Sequence, residues 1–168
     1  YEFPDYKNTT KELLDYLKEN QKKRIAIRTY NFGKPQEIAF LLDKNKIEFK
    51  LDQKLKDIHK AIGLDYEYEN DDADILISPK PQESMLNIGC SGWALSSRYR
   101  YMLKLDNAFP ISDHADYPKS LKFIKRCAPE KVFTVYGYKK KFARHIKNEL
   151  SIDARPLLKD QVVLDDFF

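Results

Sequence analysis

Arg24-Ile25-Ala26-Ile27-Arg28-Thr29-Tyr30, running directly into Asn31-Phe32-Gly33-Lys34-Pro35-Gln36, is the stretch on which the fold is read. The first part is a short run rich in branched apolar residues, the pattern of a buried strand. Gly33-Lys34-Pro35 then supplies a tight turn with proline near a first helical turn, and Ile38, Phe40, Leu41 and Leu42 form the apolar stripe of a helix. The same alternation repeats outward. On the N-terminal side, Thr9 and Glu12 have the spacing of a capping box opening a helix whose Leu13, Leu14 and Leu17 share one face, ending near Asn20. On the C-terminal side, Ile47 to Leu51 is a second strand candidate. Leu55, Ile58 and Ile62 mark another helix, and Ile75-Leu76-Ile77 before Ser78-Pro79 reads as a buried strand end.

From Met85 to Ile111 the pattern is less regular, with Ile88-Gly89-Cys90-Ser91-Gly92-Trp93 as a strand breaking into a glycine-containing loop. Pro118 to Cys127 then reads as a helix carrying Leu121 and Ile124 inward, Lys131 to Val135 as a strand, Lys139 to Leu150 as a helix, and Ala154 to Leu158 as a last strand. Such alternation predicts an α/β fold, a sheet covered by helices. No internal repeat and no low-complexity linker interrupts it, and the acidic run from Glu67 to Asp74 is expected to be an exposed connection.

The chain has 168 residues, about one domain's worth at roughly 150 residues per domain, so a large multidomain enzyme is excluded for this chain. Charged residues at 33% exceed the usual roughly 25%, while eleven tyrosines and ten phenylalanines are too many for a disordered tail. Thirty Lys+Arg against twenty-six Asp+Glu leave a net charge of +4, compatible with a polyanionic partner without requiring one. No apolar run approaches the roughly 20 residues that cross a bilayer, and Tyr1-Glu2-Phe3-Pro4-Asp5 lacks the features of a signal peptide. A membrane or secretory protein is therefore not expected; a reducing compartment is, cytoplasmic or nucleoid/nuclear. Cys90 and Cys127 have no CxxC or Cys-x-His companion, so neither a disulfide framework nor a cysteine zinc cluster is supported. A first residue of Tyr rather than Met fits a fragment, a processed product or the ordered part of something longer.

Phe109-Pro110-Ile111-Ser112-Asp113-His114-Ala115-Asp116-Tyr117 places a histidine between two carboxylates, after a strand and before a helix, where α/β proteins put chemistry. A carboxylate near an imidazole holds its orientation and favours its protonated form, which suits a proton donor to a leaving oxygen. A plainer reading stands beside it: the histidine caps the following helix, and Asp113 or Asp116 favours that helix's N-terminus. His59 and His145 lie on predicted helices at unrelated spacing and are expected at the surface.

Taken in order, Cys90-Ser91-Gly92-Trp93, Arg98, the stretch from Phe109 to Tyr117, Val132-Phe133-Thr134-Val135-Tyr136-Gly137-Tyr138 and Phe142-Ala143 resemble the β-CASP branch of the metallo-β-lactamase-fold nucleases. Within that branch they look most like the DNA ligase-associated exonucleases, also labelled mRNA 3′-end processing factor-like proteins. Gly33-Lys34-Pro35-Gln36 fits their Gly-Lys-Ala-Gln segment. The resemblance runs from about Tyr1 to Leu157 and covers only the latter half of the family's usual length. It implies a β-CASP-like α/β region over 1–105 and a C-terminal metallo-β-lactamase-like segment over 106–160, leaving 161–168 as a tail. It also implies that His114 helps protonate the leaving group beside a dinuclear zinc site, with Asp116 as the acid that orients it. Ser91 and Gly92, with Arg98 or Arg100, match a loop expected to meet a phosphate of the scissile strand, a task suited to backbone N–H groups and a guanidinium. For Trp93 and the arginines, ordinary packing and a solvated face remain an equal reading.

Two departures from the family pattern matter. Its His-x-His-x-Asp-His zinc cluster is absent from the 168 residues, so no metal site and no cofactor are expected in this chain, zinc entering only with a missing half. Where relatives carry a His-Gly that supplies a further zinc ligand, this chain has Tyr136-Gly137; a phenol with a pKa of about 10 is a poor neutral-pH zinc ligand beside imidazole. Either the zinc-carrying half lies upstream in a longer protein, or this is a degenerate relative that kept the scaffold and lost hydrolysis. The exchange at Tyr136 favours the second.

The sequence ends Gln161-Val162-Val163-Leu164-Asp165-Asp166-Phe167-Phe168, which matches QxxLxxFF, the sliding-clamp (PCNA) interaction motif, at every defined position. One turn of tight helix brings Leu164, Phe167 and Phe168 to one side as an apolar plug, while the Gln161 amide hydrogen-bonds in a pocket of its own. Burying three such side chains yields about 5–8 kcal/mol gross, which after the cost of ordering the tail leaves micromolar to sub-micromolar binding. The alternative is that Phe167 and Phe168 fold back onto the domain's own core, which the neighbouring Asp165 and Asp166 resist. Lys139, Lys140, Lys141, Arg144 and Lys147 form a basic cluster on one predicted helix, suited to DNA held near a clamp or simply to a solvated face. The expected function is that of a clamp-associated DNA replication or repair protein, with DNA as the nucleic-acid partner and RNA as the alternative.

Overall fold

A computed structural model describes residues 2–157; the tail carrying Gln161, Leu164, Phe167 and Phe168 lies outside the described residues. The chain divides into two compact units, one ending at His114 and the other beginning at Ala115.

The centre of the first unit is strand β1, Ile25–Arg28, whose Ile25, Ala26 and Ile27 are buried. A strand buried on both faces and paired on both edges reads as a continuous apolar run, which is why this stretch shows no polar alternation. Its neighbours are β3, Ile75–Ser78, and β4, Leu86–Cys90, both parallel to it, with Ile27 in register with Ile77 on one side and Ile88 on the other. Adding β2, Lys50–Leu51, and β5, Asn107–Phe109, gives a parallel five-stranded sheet in the order β2-β3-β1-β4-β5.

Helices α1, Tyr6–Glu19, α2, Lys34–Lys44, and α3, Gln53–Ala61, cover the sheet, packing beside β5, β3 and β2 respectively. Leu13 and Leu17 of α1, Ile38, Ala39 and Leu42 of α2 and Leu55 of α3 join the strand isoleucines in one core. A short 3-10 turn, Gly92–Leu95, and α4, Ser97–Met102, connect β4 to β5. The second unit contains α5, Tyr117–Cys127, β6, Lys131–Thr134, α6, Lys139–Leu150, and β7, Asp153–Pro156. Its two strands pair in parallel, and Leu121, Ile124, Ala143, Ile146 and Ala154 form a second, smaller core.

Two local expectations are corrected. The first helix opens at Asp5, not at Thr9: the Asp5 carboxylate accepts from the Asn8 N–H at 3.1 Å, and the Thr9 hydroxyl donates back to the Asp5 carbonyl. Aspartate is the better N-cap, and a threonine inside a helix satisfies its hydroxyl on a carbonyl four residues earlier. His59 is not a surface residue. It lies four positions after Leu55, on the same helical face, and only 2% of it is exposed, packed against the Tyr66 ring at 5.5 Å.

Neither ring nitrogen of His59 has a hydrogen-bond partner among the described residues, and burial pushes its pKa below the ordinary histidine value. The unfolded chain therefore takes up a proton that the folded chain refuses. This histidine's neutral form costs nothing above roughly pH 6.5, and stability is lost as pH falls below that value. Thermal unfolding followed from about pH 7.5 to about pH 5 is expected to give a smaller loss of melting temperature for His59→Leu than for the parent chain.

Candidate functional site

The order of the strands locates the crevice. From β1 the chain crosses to β2 on one side, whereas from β4 it crosses to β5 on the other, so the β1 and β4 connections diverge at the carboxyl ends of adjacent strands. In open parallel sheets such a switch point is where ligands bind. The residues it gathers come from three segments: Thr29 to Lys34 after β1, Ser91 onward after β4, and Pro110 to His114 after β5.

Gly33 makes the first segment possible. Its φ of 78° lies in the left-handed region, and a Cβ there would sit 3.3 Å from the Asp113 Oδ2. The turn carries Lys34 to the start of α2 with its side chain 5% exposed, where its ammonium is bonded to Glu37 and lies 3.8 Å from the Asp113 Oδ1. The Tyr6 phenol also hydrogen-bonds Glu37, and burial first and that carboxylate second hold it above the ordinary tyrosine range. Asp113 in turn lies 3.2 Å from the His114 Nδ1, and the Ser112 hydroxyl accepts from the His114 backbone N–H. Thus Glu37, Lys34 and Asp113 form a line of alternating charge leading from the interior to the His114 imidazole, whose side chain is 82% exposed.

Around the same loops, polar atoms are left over. Arg28 Nε, Asn31 Oδ1 and both polar atoms of the Gln36 amide are buried without a hydrogen-bond partner among the described residues. Unpaired buried polar atoms are rare, and here four of them fall between Arg28 and Gln36. Arg28 spans to the far side of the crevice, its Nη1 donating to the Leu103 carbonyl at 3.0 Å. Cys90 at the end of β4 is fully enclosed, and burial pushes its thiol up to about 12, so it is no nucleophile at neutral pH.

Ser91 is buried: its N–H donates to the Phe109 carbonyl and its hydroxyl accepts from the Trp93 N–H and meets the Tyr99 phenol. Gly92 is closely enclosed, since a Cβ would meet the Phe3 ring at 2.8 Å and the Ser112 hydroxyl at 2.9 Å. Both residues therefore fix the turn that projects Trp93, while Arg98 and Arg100 stand exposed on α4, the Arg100 Nε donating to the Leu105 carbonyl.

In the second unit, Asp116 is the N-cap of α5, accepting from the Lys119 N–H at 3.0 Å, with its side chain 5% exposed. A carboxylate beside His114 is that of Asp113, its nearest neighbour in the motif. Lys139 donates its ammonium to the Leu157 carbonyl at 2.6 Å, and Lys147 lies 3.8 Å from Asp153. Lys140, Lys141 and Arg144 are exposed on α6, as is Lys147. Tyr136 and Gly137 follow β6 with consecutive left-handed φ values of 62° and 49°, and Tyr136 faces solvent. Among the described residues, no group of three or more His, Cys, Asp or Glu side chains is placed to hold a metal ion, and no helix is long and apolar enough to cross a membrane.

No protein-family model matches the chain. Over 136 residues it is 27% identical to a protein of Opitutus terrae named "Probable DNA ligase", a match that takes in 70% of this chain and 13% of that protein. The chain thus spans a small part of the length of the relative it matches.

Lys34 is the buried charge on which the geometry depends, and replacing one partner of such a cluster strands the carboxylates it faces. Lys34→Met is expected to lower unfolding stability by about 2–4 kcal/mol, read from the midpoint of urea denaturation with an unchanged slope.

Proposed function

We propose that this chain is a sliding-clamp-associated DNA-processing protein related to the β-CASP metallo-nucleases, with no complete zinc site of its own. The observation that carries the reading is the terminal Gln161-Val162-Val163-Leu164-Asp165-Asp166-Phe167-Phe168. Similarity to a protein named "Probable DNA ligase" supports the DNA part of it. The exposed cations Arg98, Arg100, Lys140, Lys141 and Arg144 supply the sequence-independent attraction that phosphates require.

The donor set does not suit a resident zinc. Among the described residues no group of three or more His, Cys, Asp or Glu side chains is placed to hold a metal ion, and Tyr136 stands where the family resemblance calls for an imidazole. No step is therefore routed through a metal. What His114 offers is an imidazole whose Nδ1 faces Asp113 and whose other edge is open to solvent, able to hydrogen-bond or pass a proton to a phosphate oxygen. Lys34 restrains Asp113 and so the ring, which makes it a positioning residue.

A second reading is an active zinc-dependent exonuclease, or an RNA 3′-end processing nuclease, whose metal-binding half lies outside this chain. It is favoured by the small share of the relative that the chain spans. The reading frame upstream of Tyr1 separates the two: a longer polypeptide that carries a His-x-His-x-Asp-His segment and, with zinc, cleaves an oligonucleotide in a way that His114→Ala abolishes belongs to the second reading, and a polypeptide without that segment that leaves the oligonucleotide intact belongs to the first.

For the clamp, titration calorimetry of the full chain against the sliding clamp of the same organism is expected to give a dissociation constant of about 1 μM or tighter. Phe167→Ala combined with Phe168→Ala should remove the heat, and an unchanged isotherm for that variant sinks the assignment of the tail.

A further inference from the structure

The first unit exposes aromatic rings where a soluble surface normally does not. Tyr30 and Phe32, on the loop after β1, are each more than half exposed; Trp93, on the 3-10 turn after β4, is 71% exposed and Tyr101, on α4, 85%. These belong to the two connections that diverge at the switch point, since β1 and β4 are hydrogen-bonded neighbours. Arg28, at the end of β1, donates from its Nη1 to the Leu103 carbonyl of the other connection at 3.0 Å, which ties the two connections to one locale. The rings are held out by construction. Ser91 fixes the start of the turn through the Trp93 N–H, and Gly92 leaves no room for a side chain beneath it.

The charge of these two connections is one-sided. From Arg28 to Gln36 the chain carries Arg28 and Lys34, the latter already met by Glu37 and Asp113, and from Ser91 to Leu105 it carries Arg98, Arg100 and Lys104, with no Asp or Glu in either stretch. Exposed aromatic faces set among cations suit one chemistry: an unpaired nucleobase stacked on a ring while its phosphates lie along the guanidinium groups of Arg98 and Arg100 and the ammonium of Lys104. A duplex offers no such base, because its faces are already stacked.

We infer that the crevice between the β1 and β4 connections takes an unpaired single strand of DNA, with Trp93 as the stacking platform and Tyr30, Phe32 and Tyr101 as flanking surfaces. This rests on the DNA-processing reading and adds to it the form of the strand and the residue that holds the base.

Trp93 is the sole tryptophan of the chain, so intrinsic tryptophan fluorescence reports this position alone. Full chain is titrated with a single-stranded DNA oligonucleotide, with an abasic oligonucleotide of equal length, and with a blunt duplex, following tryptophan emission and the anisotropy of a labelled strand. Saturable quenching by the single strand is expected, with the abasic strand binding at least about tenfold more weakly. Trp93→Ala should weaken single-strand binding by about tenfold or more, whereas Trp93→Phe, which keeps a ring, should stay within about threefold of the parent. Equal binding of abasic and normal strands with unchanged emission, or preference for the blunt duplex, overturns the stacking site while leaving phosphate binding intact. Failure of every oligonucleotide to bind overturns the DNA-processing reading along with it.

Discussion

The buried ammonium of Lys34 is the constraint around which the first unit is arranged. A lysine enclosed at the first turn of a helix, next to positive partial charge, is unfavourable unless anions meet it, and here Glu37 of the same helix and Asp113 of a distant loop do so. The consequence is positional more than energetic. Glu37 lies three residues on and would be near in any helix, whereas Asp113 is brought in from the segment after β5. The pairing thus fastens the end of an edge strand to the loop of the central strand, and His114 inherits its place from that fastening.

Much of the fold was legible because the sheet is parallel. Buried parallel strands give plain apolar runs, and Ile25-Ala26-Ile27 and Ile75-Leu76-Ile77 could be read directly. The helix from Lys139 to Leu150 was equally plain in its periodicity. The segment between Met85 and Ile111 was not. There β5 has three residues and α4 six, both shorter than the window over which a period can be recognised, and their order comes from packing such as the Arg100 contact with the Leu105 carbonyl. His59 is hard to place from sequence because a lone polar ring on a helix gives no sign of its depth, yet its spacing from Leu55 sets it on the buried face.

The site divides in the same way. His114 and its neighbouring carboxylates stand together in the sequence, so a candidate was available from the motif alone. Lys34 and Glu37 lie far from it in the chain, and only the strand order brings them into one cluster. Ser91 and Gly92 read from sequence as a loop facing phosphate, but both are enclosed and serve to set the turn. Trp93 carries the exposed chemistry of that loop. No period or motif signals that an aromatic side chain will be left facing water, since exposure is decided by what fails to pack over it.

The two cysteines differ in a way that gives the chain a convenient chemical asymmetry. Cys90 is walled in at the end of β4 and its thiol stays protonated, whereas Cys127 closes α5 at the surface. An alkylating dye or spin probe applied to native protein would react at Cys127 alone, giving a uniquely labelled molecule without any engineering. Reaction at Cys90 would then register opening of the sheet's central layer, making one residue a handle and the other a gauge of integrity.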